Sequence, residues 1–154
     1  MSESIYLGSI RAISGRKLRI PGCACLAGPE LRRFGVLKVH TYANCDTCRR
    51  AVKWLRSHGL AFTEHPIRET PPTPAELRTM LAAQDGELRR LFNTSGRDYR
   101  EQGLGEKFAS LTQAEALALL ARNGNLVKRP FLLGPGTGLV GFNEAAWAAA
   151  LLKT

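Results

Sequence analysis

Val36-Leu37-Lys38-Val39-His40-Thr41-Tyr42-Ala43-Asn44-Cys45-Asp46-Thr47-Cys48-Arg49-Arg50-Ala51 is the stretch that decides the fold. Residues 36–42 alternate apolar and polar side chains and are rich in β-branched and aromatic types, the pattern of a strand. Ala43-Asn44 breaks that pattern. A helix is predicted from Asp46, with Val52, Trp54 and Leu55 on its apolar side and Gly59 as the residue that closes it. Leu60–Ile67 reads as a second strand. A strand, a helix and a strand in this order favour a parallel pair joined by a right-handed crossover.

The two cysteines sit where strand meets helix. Free N–H groups and the helix dipole at that place favour a thiolate, so Cys45 is the candidate nucleophile. Cys48 lies one turn on and can attack a mixed disulfide formed at Cys45, which makes it the candidate resolving thiol. Arg49 and Arg50 lie further into the helix, where their side chains are not expected to reach the thiolate. A zinc half-site has the same Cys spacing but needs a second Cys/His pair, and His40, His58 and His65 are scattered. Two purely structural cysteines are the remaining alternative.

Outward from this centre, Thr70-Pro71-Pro72 is a turn and Thr73-Pro74-Ala75-Glu76 a helix start. Thr73 takes the N-cap, Pro74 the first turn, and Glu76 the third position of a capping box. A short helix is expected over 87–92, a polar turn over Asn93-Thr94-Ser95-Gly96, and another helix from Ser110-Leu111-Thr112-Gln113 to Asn123-Gly124. Residues 71–124 thus form a helical block. Pro130–Leu133 and Leu139–Phe142 read as a strand pair around a Gly-Pro-Gly-Thr-Gly turn, and Asn143 caps a last helix through Leu152. The fold class is α/β: a thioredoxin-like fold with a helical insertion between its β-α-β and β-β-α halves.

Lys128-Arg129-Pro130 enters the third strand. Proline there cannot donate to the ladder but suits a cis peptide. By analogy with thioredoxin-like folds this position faces the active cysteines, so Arg129 is expected near Cys45, where its guanidinium could stabilise a thiolate and hold a carboxylate or oxyanion. Candidate substrate contacts are Asn44 and Thr47 in the cysteine loop, Asn93 and Ser95 in the polar turn, and Lys128 and Pro130 beside Arg129.

The chain has 154 residues, enough for one domain with a real core. Its net charge of +9 points to an anionic partner. That charge is spread, with no basic run and no aromatic-basic pattern of a base-stacking module, which argues against general nucleic-acid binding. No apolar stretch is long enough for a membrane span and no secretory signal is apparent, so the expected place is the cytoplasm. Residues 1–35 carry many Gly and Pro and no sustained period. They are expected to be a flexible arm or a segment upstream of the true start, and their Cys23-x-Cys25 to be incidental.

Taken together, Tyr42–Ala51, Glu69-Thr70-Pro71-Pro72, Leu91–Gly96, Leu126–Pro130 and Val140-Gly141-Phe142 resemble, in order, the motifs of arsenate-reductase-like proteins, including the Spx group. The resemblance covers residues 36–152. It implies a reductase in which Cys45 attacks the substrate and glutathione with glutaredoxin returns the electrons. No bound cofactor or metal is implied beyond glutathione as co-substrate. The family's oxyanion pocket uses three arginines: Arg129 matches one, while the other two positions fall at Asn93 and near Gly141. The substrate is then a small oxyanion or a disulfide. The Spx branch implies an alternative, a redox-sensing transcriptional regulator that binds RNA polymerase. Those regulators carry an extended C-terminal segment, whereas this sequence stops at Thr154.

Overall fold

The computed structural model describes residues 36–152. The predicted arm over 1–35, with Cys23 and Cys25, lies outside the described residues. Four strands form one mixed sheet in the order β2-β1-β3-β4. They are β1 (Leu37–Thr41), β2 (Phe62–Pro66), β3 (Phe131–Gly134) and β4 (Thr137–Val140). β1 is parallel to β2 and antiparallel to β3, and β3 is antiparallel to β4. The expected thioredoxin-like arrangement is therefore present, with β1 in the centre.

Alternation along β1 serves two cores. Leu37 and Val39 pack with Leu132 of β3 against α1 (Asp46–Ser57) and α6 (Glu144–Leu151), where Ala51, Trp54, Leu55, Trp147 and Leu151 complete a buried cluster. Lys38 and His40 face the other way. On that side Phe131 joins Ile67, Leu77, Met80, Leu120 and Phe92 in a second cluster beneath the insertion. The insertion holds α2 (Pro74–Ala83), α3 (Arg97–Glu101), α4 (Leu104–Lys107) and α5 (Gln113–Arg122), with short 3-10 turns at Leu88–Leu91, Phe108–Ser110 and Gly124–Leu126.

Local signals explain most boundaries. The Thr73–Glu76 capping box is formed, and a second one joins Thr112 to Glu115 at the start of α5. Gly59 follows α1 with φ +64, as a closing glycine should. Asn143 Oδ1 accepts from the Ala146 N–H at 3.0 Å and starts α6.

Other expectations needed correction. β2 begins at Phe62, because Leu60 donates its N–H back to the Leu55 carbonyl at 3.1 Å and belongs to the close of α1. The segment expected as a helix over 87–92 is a 3-10 turn. The hairpin closes on Pro135-Gly136, so β4 starts at Thr137 and Gly141-Phe142 lie past its end.

Gly124 fixes how the insertion sits on the sheet domain. A Cβ there would lie 1.7 Å from the Ile67 carbonyl oxygen and 3.2 Å from the Arg68 Cα. Only glycine permits that approach, which brings residues 123–126 beside the end of β2.

Candidate active site

Cys45 is the N-cap of α1, in extended backbone just before the helix. Its N–H donates to the Tyr42 carbonyl at 3.1 Å, and its own carbonyl accepts from Arg49 N–H at 3.0 Å. The loop is thereby folded over the helix start. Cys45 is part-exposed, Cys48 is only 1% exposed, and both thiols are free. Burial pushes the Cys45 thiol up. Against it work the backbone N–H and the S–H of Cys48, the Arg129 charge and the Thr47 N–H, and together they hold it below its ordinary value. Cys48 behaves oppositely. Burial pushes it up to about 12, helped by its hydrogen bond to Cys45 and the charge there, although the Tyr42 backbone and Arg129 pull it down. One turn of helix thus separates a thiol held below its ordinary value from one pushed well above it.

The Arg129 charge acts on both cysteines. The Arg129–Pro130 peptide is cis. The guanidinium lies 4.8 Å from the centroid of the Tyr42 ring, and its Nη1 is shielded from solvent with no protein partner. Arg49 is tied down at the helix start, donating to the Ala43 carbonyl at 3.0 Å and pairing with Asp46. Arg50 lies 5.8 Å from the Phe142 ring. Neither is among the charges acting on the cysteines, as the helix geometry suggested.

The other candidates divide. Thr47 contributes its backbone N–H to Cys45. Asn44 is exposed, with Nδ2 3.5 Å from the Tyr42 hydroxyl. Pro130 is buried behind Arg129, and its carbonyl accepts from Gly141 N–H at 2.8 Å. Asn93 joins Arg129 in a cleft of about 420 Å³, which Arg68, Gly96, Arg97, Asp98 and Asn125 also line. Ser95 is exposed in the same turn, outside that lining. Lys128 lines a different cleft with Arg89, Arg90 and Thr94, so the structure does not bring it together with Arg129. Gly141 is likewise not part of the Arg129 cleft.

Arg68 is the residue that sequence reasoning passed over. Its guanidinium lies 3.9 Å from the Tyr42 ring centroid, so the same ring carries both Arg68 and Arg129. Its position directly after β2 was the available signal, since the end of a strand beside the nucleophile loop opens on the same edge of the sheet. Among the described residues no group of three or more His, Cys, Asp or Glu could hold a metal ion. No helix there is long and apolar enough to cross a membrane.

Comparison with known proteins decides the family. Residues 40–150 match the ArsC family. The chain belongs to the ArsC family. Among other ArsC-like chains, the uncharacterized protein YusI of Bacillus subtilis (strain 168) is 42% identical over 108 residues, covering 70% of this chain and 92% of that one. Global transcriptional regulator Spx 1 of Lactococcus lactis subsp. lactis (strain IL1403) is 30% identical over 109 residues, covering 71% and 84%. Among solved structures, an ArsC family related protein from Bacteroides fragilis superposes with a TM-score of 0.70 at 36% identity, covering 73% of this chain and 95% of that one. SACOL0876 from Staphylococcus aureus COL gives 0.69 at 36%, covering 77% and 100%. The resemblance read from the motifs and the thioredoxin-like fold are thereby established for this ArsC chain.

Proposed function

We propose that this ArsC-family protein is a thiol oxidoreductase in which Cys45 attacks, Cys48 resolves, and Arg129 holds the negative charge of thiolate or substrate. The observation that carries this is two free thiols one turn apart, Cys45 part-exposed at the N-cap of α1 and Cys48 buried, with Cys45 held below its ordinary value and Cys48 pushed up to about 12. The Cys45 thiolate attacks one sulfur of a disulfide RS–SR, forms Cys45–S–S–R and releases RS⁻. Its negative charge and its hydrogen bond from Cys48 both disappear in that step. Two of the influences that raise Cys48 are then gone, while the Tyr42 backbone and Arg129 still favour its thiolate. Cys48 loses its proton, attacks Cys45, closes the Cys45–Cys48 disulfide and releases the second RS⁻. The substrate is reduced by two electrons, and an external thiol donor, glutathione or glutaredoxin, restores the dithiol.

A single experiment tests this. The reduced chain is mixed with one equivalent of bis(2-hydroxyethyl) disulfide and weighed by mass spectrometry. The expected product is lighter by two hydrogen atoms, with two mercaptoethanol released. Cys48→Ser stops at the mixed disulfide, and Cys45→Ser does not react. A Cys48→Ser chain that forms no adduct at Cys45 would refute the assignment. A parallel arm with arsenate, glutathione, glutaredoxin and NADPH reads oxyanion reduction.

A second reading is favoured by the 30% identity to Global transcriptional regulator Spx 1. In it, the same disulfide acts as a sensor and the partner is RNA polymerase. Redox-dependent co-purification with the polymerase would support it, and its absence in both redox states would remove it.

A further inference from the structure

β2 is an edge strand, with β1 on one side and, among the described residues, no strand on the other. Its pairing with β1 fixes which of its backbone groups are used. Leu37 N–H donates to the Ala61 carbonyl at 2.9 Å, and Ile67 N–H donates to the Thr41 carbonyl at 2.8 Å. Successive residues of a paired strand turn their backbone groups alternately toward and away from the partner. With Ala61 and Ile67 turned inward, Phe62 and Glu64 turn outward. Pro66 also falls on the outward set. It has no N–H, and its carbonyl accepts from Thr70 N–H at 2.8 Å, so that end of the strand is closed. The N–H and C=O groups of Phe62 and Glu64 are left as an open edge, a template for an extended chain.

The same edge borders a groove of about 490 Å³ beside α1. Arg49, Lys53 and Arg56 line its helix side, and it reaches Tyr42 and Ala43 of the cysteine loop. Arg49 is held by Asp46 and the Ala43 carbonyl. Lys53 and Arg56 are exposed and, among the described residues, form no ion pair. The Arg56 guanidinium lies over the edge strand, 6.0 Å from the Phe62 ring centroid. Glu64, the carboxylate in the lining, already accepts from Thr41 Oγ1 at 2.6 Å. A strand added to β2 lays every second side chain on this face, where carboxylates meet Lys53 and Arg56. We propose that the β2 edge and the α1 groove dock an acidic extended segment of a partner protein, which pairs with Phe62 and Glu64 through its backbone and sets alternate carboxylates against Lys53 and Arg56. Charge decides against other occupants. A second copy of this chain would bring two basic grooves together. Residues 1–35 hold six Lys/Arg against two Asp/Glu and are repelled likewise. The surface selects a protein by charge and by strand pairing, and it requires no reaction at Cys45.

Fluorescence anisotropy of the full reduced chain tests this with a labelled pentapeptide, acetyl-Glu-Val-Glu-Val-Glu-amide. The probe carries no sulfur, so the thiol chemistry does not enter. Saturable binding is expected, and by NMR the Phe62 and Glu64 amides should exchange with deuterium more slowly in the complex. Reversing both charges, Lys53→Glu with Arg56→Glu, should weaken binding by about tenfold or more, since like charges then face each other. Glu64→Pro removes an outward N–H that the pairing with β1 does not use. It should bind about fivefold more weakly than Glu64→Ala, as for loss of one backbone hydrogen bond. Should Glu64→Pro fail to fold, the exchange of the two amides in the parent chain decides alone. Absence of peptide binding, undiminished binding by the charge-reversed chain, or unchanged exchange at Phe62 and Glu64 would each overturn the proposal. So would tighter binding of an oligothymidylate of the same length, which would make the groove a nucleic-acid surface.

Discussion

Cys45 and Cys48 show how little sequence distance is needed to give one side-chain type two characters. Both are thiols at the start of α1, but one caps the helix at the surface and the other is buried within its first turn. The pH consequence follows from the sign of the shift. A thiol held below its ordinary value is already thiolate at pH values where free cysteine is still protonated, so alkylation of Cys45 by iodoacetamide should level off at lower pH than a free cysteine's does. Arg129→Ala removes a charge that favours the thiolate and should move that curve upward. An unmoved curve, followed by mass spectrometry across pH, would take the arginine out of the site. Cys48 should stay unmodified until Cys45 has been consumed. At this scale the CxxC and Arg129 were legible, since each sits at a motif with a mechanical reason. Arg68 was not, because it belongs to no motif and becomes a partner of Arg129 only through the Tyr42 ring.

At the scale of elements, β1 carries a second titrating group. His40 is 1% exposed, donates through Nδ1 to the Thr70 carbonyl at 3.0 Å, and has its Nε2 unpartnered. Its pKa is lowered to about 4, by burial first and by the Lys38 charge next. The unfolded chain takes up a proton near the ordinary histidine value of about 6.5, whereas the folded chain resists until pH 4. Stability is therefore complete above that ordinary value and declines as pH falls toward 4. Urea unfolding between pH 7 and 4 should show this loss, and His40→Phe should flatten that part of the profile. In the insertion, Thr112→Ala should cost about 1 kcal/mol by removing the cap of α5, readable as a shift in urea midpoint. β1, α1, α2 and α6 could be foreseen because period and caps agree. α3 and α4 could not: five and four residues long, they are too short to show a helical period, and the packing of Tyr99 and Leu104 on the insertion core holds them.

For the whole molecule, two cores on opposite faces of one sheet are drawn from residues 37–151. A chain beginning at Val36 is expected to unfold with a midpoint close to that of the full chain. A much lower Tm in a thermal scan would show that residues 1–35 contribute to a core. Gly124→Ala makes the contrary prediction. Its Cβ has no room against the Ile67 carbonyl, so the insertion must shift from the end of β2. The substitution should destabilise the protein, read as a lowered urea midpoint. The overall order of strands was readable from the β-α-β start and the closing hairpin. The seating of the insertion was not, because it depends on a backbone-to-backbone contact that leaves only a lone glycine in the sequence.

The central position of β1 has a consequence during synthesis. β1 pairs with β2 across a short crossover, but its antiparallel partner β3 is made only after the whole insertion. On a ribosome, Cys45 and Cys48 emerge long before Arg129 and before the strand that seats it. For that interval the nascent chain carries a helix-start thiol without its arginine or its finished cleft, and the last long-range strand pairing sets when the site is assembled. Nascent chains stalled short of β3 should therefore show Cys45 with a higher pKa than the released protein.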